Sequence, residues 1–266
     1  MLKVGSLFSG IGGLELGLEW AGMETVWQVE KDPYALKVLQ KHWPEVPKHD
    51  DIKRFNAADA AGVDLVCGGF PCQPHSLAGK RGASSDERDL WGEMWRVIRD
   101  ARPRWVVAEN VPGLLSSEAG RYLGRVFGDL AALGYDASWL VLPAAAVGAP
   151  HRRERVFIVA HADRAQRQRD GCTGRIQAKA SFDSGSKQKN LGHTYTVREL
   201  QQERGQQEEW RRACDSGWWA SEPDVGRVAH GVPARVDRLR CLGNAVVPQV
   251  AYQIGKAIMQ IEVCNV

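Results

Sequence analysis

The chain has 266 residues, 44% hydrophobic and 25% charged, with a formal net charge of +3 at pH 7; that length can bury one sizeable core and carry a small second module, in an ordinary soluble globular protein. No apolar stretch approaches the roughly 18 residues of a membrane span, and the first residues are strand-like, so neither a span nor a signal peptide is expected. The six cysteines include no C-x-x-C pair, which argues against a metal site and a disulfide framework and for a reducing, cytoplasmic compartment.

Strand-like and helix-like segments alternate from residue 2 to about 161. Residues 2–8 read as a strand, followed by a helix with Leu14, Gly17, Leu18 and Ala21 on one face and Gly22 as its stop. Residues 25–30 form the next strand, and Pro33 opens a helix with Leu36 and Leu39 inward. A short third strand ends near Asp51, and the apolar run 63–70 is a buried fourth. A helix through Leu90, Met94, Val97, Ile98 and Ala101 precedes a strand at 104–108, and two more strands fit 137–142 and 156–160. The alternation predicts an α/β fold with a doubly wound, mostly parallel sheet covered by helices on both faces. Between 162 and 216 the aliphatic residues are only Ile176, Leu191, Val197 and Leu200, so this stretch is expected to be loop-rich. Pro248 then opens a last helix with Val250, Ile254, Ile258 and Ile261 on one side, returning to the first domain. The expected organisation is a large domain at 1–161 plus 243–266 and a small second domain at 162–242.

Two loops at strand ends carry chemistry. Phe8-Ser9-Gly10-Ile11-Gly12-Gly13 lies where the first strand turns into the first helix, and its glycines allow a ligand close to the backbone. Glu30, about twenty residues on, is placed to accept from ribose hydroxyls, and Asp51 from an adenine amino group. The spacing is G-x-G-G rather than G-x-G-x-x-G, which favours an adenosine ligand without a pyrophosphate. Cys72 lies beyond the fourth strand between Pro71 and Pro74, which stiffen the backbone on either side. That points to a reactive thiol at Cys72, whereas Cys67, inside the strand, reads as a small buried hydrophobe. Basic residues cluster at His151-Arg152-Arg153-Glu154-Arg155 and again at Arg164, Arg167, Arg169 and Arg175; the last four also fit a solvated face.

The ordered set Phe8-Ser9-Gly10-Ile11-Gly12-Gly13, Glu30, Asp51-Ile52, Gly69-Phe70-Pro71-Cys72-Gln73-Pro74, Glu109-Asn110-Val111, Arg153-Glu154-Arg155 and Gly243-Asn244-Ala245-Val246-Val247-Pro248 resembles the cytosine-5 DNA methyltransferases of bacteria and phages. Only about 162–225 lies outside the resemblance. It implies S-adenosylmethionine as cofactor and a flipped-out cytosine in double-stranded DNA as substrate. Cys72 would be the nucleophile at carbon 6, Glu109 would hold and protonate ring nitrogen 3, Arg155 would bond the base carbonyl and Arg153 would brace the pocket. Phe8, Gly10, Ile11, Gly12, Gly13, Glu30, Asp51, Ile52, Pro71, Leu90, Asn244 and Ala245 would form the cofactor site. Taken singly, Glu109 also fits a helix-capping acid, and Arg153 and Arg155 a surface pair.

The base must leave the duplex to be reached, and residues 75–89 read as a lid over it, or as a plain surface loop. His75 stands where the family usually has Phe, as a pocket wall or a charge that lowers the thiol pKa. His151 stands where a Gln is typical. The segment 162–225 occupies the place of the family's target-recognition domain, and the bases it recognises are not readable; neither is a companion restriction endonuclease. Asp237-Arg238-Leu239-Arg240 reads as a brace between the domains. A monomer is expected. Three alternatives stand beside this reading: a tRNA substrate for the same chemistry, a catalytically silent DNA-binding relative and, less favoured by the glycine spacing, a nicotinamide oxidoreductase.

Overall fold

The first expected strand forms as β1 (Lys3–Leu7), with every residue after Lys3 buried. The computed structural model describes residues 1–71, 89–162 and 235–264. Cys72, His75, nearly all of the expected lid and most of the second domain lie outside them. From β1 the chain runs through α1 (Gly13–Trp20), β2 (Glu24–Val29), α2 (Pro33–His42), β3 (Lys48–His49), α3 (Ala57–Ala60) and β4 (Leu65–Gly69). It continues with α4 (Trp91–Ala101), β5 (Trp105–Asn110), a kinked 3-10 segment (Pro112–Gly120), α5 (Arg121–Ala132), β6 (Tyr135–Pro143), a second 3-10 segment (Ala144–Val147) and β7 (Glu154–Ala162). Two helices follow, α6 (Arg235–Asn244) and α7 (Pro248–Cys264). Among the described residues no helix is long and apolar enough to cross a membrane.

The seven strands form one sheet in the order β3-β2-β1-β4-β5-β7-β6. The first five pair in parallel, and β7 runs antiparallel to both β5 and β6. The mostly parallel sheet is thus as expected, with its reversal confined to one end. Only the short 3-10 segment Ala144–Val147 separates β6 from β7, and a short connection can join antiparallel strands, whereas a parallel pair needs a long crossover. Strand order reverses between β2 and β4 on either side of β1, which opens a crevice at the strands' carboxyl ends.

Alternating side chains along the strands feed two cores, one on each face. Val66, Val106 and Ala108 pack with Trp91, Met94 and Ile98 of α4 and with Val126 and Leu130 of α5. Leu65, Cys67 and Val107 pack on the other face with Leu14 and Leu18 of α1 and Val250, Ile254 and Ile258 of α7. Two inward assignments need correction. In α2 the buried pair is Ala35 and Leu39, with Leu36 only half-buried, because it is Leu39 that reaches the glycine turn at Gly12. In α7, Ile261 is 45% exposed, because it lies in the last turn, beyond the face that α1 covers.

The last helix packs against α1 and the sheet. Glu262 accepts from Trp105 Nε1 at 2.9 Å and pairs with Arg104. The approach of α7 to α1 depends on Gly17, where an added Cβ would sit 2.2 Å from the Pro248 carbonyl oxygen and 2.6 Å from Ala251 Cβ. Gly17→Ala is therefore expected to destabilise the fold by about 1–3 kcal/mol despite alanine's better helix propensity. Thermal unfolding checks this; an unchanged melting temperature would contradict the close seating.

Candidate active site

The loops leaving β1, β2, β4 and β5 converge on one cavity of about 780 Å³, within the range of small-molecule sites. Its first half is built from the glycine turn. Phe8 and Gly10 both take positive φ, 54° and 57°, and the turn bends the backbone toward β2. The Gly10 N–H donates to Glu30 Oε2 at 2.7 Å, and the Asp32 N–H donates to Glu30 Oε1 at 2.7 Å. Each oxygen keeps a lone pair, so the carboxylate is oriented without being saturated. Asp51 Oδ1 accepts from the Lys53 N–H at 3.0 Å, and the neighbouring Ile52 is buried.

Of the expected cofactor residues, Phe8, Gly10, Gly13, Glu30, Asp51 and Ile52 line this cavity. Pro71, Leu90, Asn244 and Ala245 line it as well. Ile11 and Gly12 do not. Gly12 caps α1 in the left-handed region, and its Cα faces the Trp43 ring, so it shapes the turn from behind.

The second half surrounds Glu109 near the end of β5, where the residue is only 8% exposed. Gly69 makes room for it: a Cβ there would stand 2.9 Å from Glu109 Oε2. Arg155 Nε lies 3.0 Å from Glu109 Oε1, while Arg155 Nη1 donates to the Glu154 carbonyl at 2.8 Å. Burial pushes the Glu109 carboxyl up to about 7, against the opposing pull of Arg155 and then Arg153. Desolvation wins because the charged form loses more hydration than two nearby guanidinium groups return. Arg153 itself, at a positive φ of 35°, donates to the carbonyls of Gly243, at 2.7 Å, and Ala245. It braces the junction of α6 and α7, where Asn244 ends the helix and Ala245 begins the turn.

The chain on both sides of residues 72–88 is tied down. Asn110 Nδ2 donates to the Phe70 carbonyl at 3.0 Å, fixing the backbone just before Pro71. On the far side the buried Asp89 carboxylate accepts from Trp91 N–H at 3.1 Å, from Arg125 Nη2 at 2.7 Å and from the Tyr122 hydroxyl. These partners lie in α4 and α5.

Cys67 is fully buried, and burial, followed by the Glu15 carboxyl, pushes its thiol well above the ordinary range. This agrees with a packing role. Sequence reading passed over Glu15, which resembles a first-turn acid favoured by the helix dipole. It is instead entirely buried beside Ser6, Ser9 and Gln28, and desolvation raises its pKa. Asp32 and Cys241, also passed over, and Arg240, read as a brace between domains, line the cavity. No local pattern marks Arg240 and Cys241 as cavity residues, because α6 meets the cavity only through the fold.

The description "C-5 cytosine-specific DNA methylase" belongs to the family model that matches residues 2–231. The chain is 37% identical over 154 residues to the type II methyltransferase M.BsuFI of Bacillus subtilis, covering 58% of this chain and 37% of that protein. With the type II methyltransferase M.PspPI of Psychrobacter it shares 42% identity over 157 residues, covering 58% and 38%. The chain thus spans less than half the length of these curated relatives. Among solved structures, a protein of E. coli described as a prophage-encoded DNA modification methyltransferase superposes with a TM-score of 0.54 at 28% identity, over 62% of this chain and 48% of that one. The Dnmt2 methyltransferase of S. pombe superposes with a TM-score of 0.59 over 98% and 99% of the two chains; at 17% identity this shows the fold alone.

Proposed function

The chain belongs to the C-5 cytosine-specific DNA methylase family, and on that premise we propose that it methylates carbon 5 of a cytosine in double-stranded DNA, using S-adenosylmethionine and a transient bond from Cys72 to carbon 6. The observation that carries the reading is a buried acid held near neutrality, Glu109, paired with Arg155 in the same cavity as the glycine turn and the acids Glu30 and Asp51.

The residues present suit the cofactor. Gly10 has no atom within 4 Å of the place its Cβ would take, which leaves the turn open to a ligand. Glu30 and Asp51 supply acceptors, while Phe8, Ile52 and Leu90 supply apolar walls. When bound, S-adenosylmethionine supplies an electrophilic methyl group on a sulfonium for carbon 5.

The protein's own task is to make carbon 5 nucleophilic. Addition of the Cys72 thiolate to carbon 6 pushes electron density toward carbon 5, provided that ring nitrogen 3 is protonated or strongly hydrogen-bonded. Glu109, with its pKa near 7, can hold that proton at working pH, which an ordinary carboxylate could not. Arg155, paired with Glu109, would keep that carboxyl oriented and donate to the base carbonyl. Loss of the carbon-5 proton to a base, such as water, then expels the thiolate and restores both cysteine and aromatic ring. The target must be rotated out of the duplex.

Residues 1–161 and 243–266 would house this chemistry, and 162–242 would read the target sequence, although α6 runs unbroken across the boundary at 243. The protein would act as a cytoplasmic monomer. Incubation with tritiated S-adenosylmethionine and duplex DNA of mixed sequence tests the proposal. Label should appear in 5-methylcytosine within one short motif. Label confined to RNA, or no label, would overturn it.

A further inference from the structure

Helix α6 carries Arg240, Cys241 and Asn244 to the wall of the cavity, beside the Glu30 loop. One attachment is the Arg153 grip on its carboxyl end. The other lies one turn earlier and crosses to a part of the chain more than two hundred residues away. There Arg240 Nη2 donates to Asp32 Oδ2, and Asp237 Oδ1 approaches the same nitrogen at 3.4 Å. Asp32 is itself an unusually committed residue. Its Oδ1 caps α2 by accepting from Tyr34 N–H at 2.9 Å and Ala35 N–H at 3.0 Å. Its own N–H donates to Glu30 Oε1. Arg240 is therefore one residue removed from the carboxylate that orients the glycine turn.

We infer that Arg240 is a positioning residue for the cofactor: its ion pair with Asp32 clasps α6, and with it Asn244 and Ala245, against the nucleoside cavity. The inference rests on the proposed use of an S-adenosyl cofactor. It accounts for two facts that a brace between domains leaves aside. The pair joins α6 to the rim of the cavity, and it uses the oxygen of Asp32 that helix capping leaves over. The Arg240 side chain is 55% exposed and that of Asp32 24%. A pair this accessible is modest in strength and sensitive to salt, so the clasp should change affinity by about fivefold.

Calorimetric titration of the full chain with S-adenosylhomocysteine tests this in a double-mutant cycle of Arg240→Gln and Asp32→Asn. Asparagine caps a helix as well as aspartate does, so the second variant keeps α2 intact. Each single variant should weaken binding about fivefold at low salt, and the double variant no more than either. In 1 M salt the difference from wild type should shrink below about twofold. Wild-type binding together with undiminished binding by Arg240→Gln overturns the clasp alone. Losses that multiply in the double variant, or persist in 1 M salt, also overturn it, since the two residues would then act separately. A wild-type chain that does not bind the ligand at all overturns the cofactor reading, and the clasp falls with it.

Discussion

Cys72→Ser is expected to reduce methyl transfer by about 10⁴-fold or more while leaving cofactor binding in place. A serine hydroxyl is far less acidic than a thiol and adds poorly to a pyrimidine ring without a strong base beside it. The neighbouring Cys67 cannot take over: it is fully buried in β4, and burial keeps its thiol protonated. A second readout isolates the covalent step. In DNA carrying fluorine at carbon 5 of the target cytosine, the last step fails because fluorine cannot leave as a cation. Wild-type protein should then accumulate as a DNA adduct through Cys72, seen by mass spectrometry after digestion, and the serine variant should form none. Undiminished turnover by Cys72→Ser would sink the mechanism.

Glu109→Gln should lower the rate by about 10²–10⁴-fold, because an amide can hydrogen-bond ring nitrogen 3 but cannot protonate it. The wild-type rate should fall as pH rises above about 7, where the Glu109 carboxyl ionises. The same shift makes a statement about stability. The folded-state pKa lies above the ordinary 4.5, so folding favours the protonated form. Its contribution is complete below about pH 4.5 and is lost as pH rises to about 7. Relative to Glu109→Gln, wild type should lose on the order of 3 kcal/mol across that window. Urea unfolding of both proteins at several pH values measures it; parallel pH profiles would show that burial does not control this carboxyl.

The parts of the fold legible in the sequence are those set by local pattern. The apolar run 63–70, short and bounded by glycines, reads as a buried strand, and β4 lies within it. Pro33 announced α2, and the helix does begin there; the cap that Asp32 places before it shows only in the structure. The antiparallel end of the sheet was less visible, because strand direction is set by the connection between strands and not by the strands' own composition. Ile11 and Gly12 show the same limit on a smaller scale. A turn motif names the residues that bend, but which of them line the cavity depends on what packs behind, as Trp43 does at Gly12.

Residue identity and chain order determined which chemical groups this protein has and at which strand ends they stand: the thiol after Pro71, the acid at 109, the arginines at 153 and 155. Tertiary structure alone decided what those groups are like. Glu109 becomes a carboxyl poised near neutrality because the surrounding fold buries it, in the room that Gly69 leaves for its carboxylate. Arg240 meets Asp32 because α6 folds back over the first crossover, 208 residues away in sequence. Desolvation and pairing depend on what surrounds a side chain in three dimensions, and a linear pattern does not carry that information.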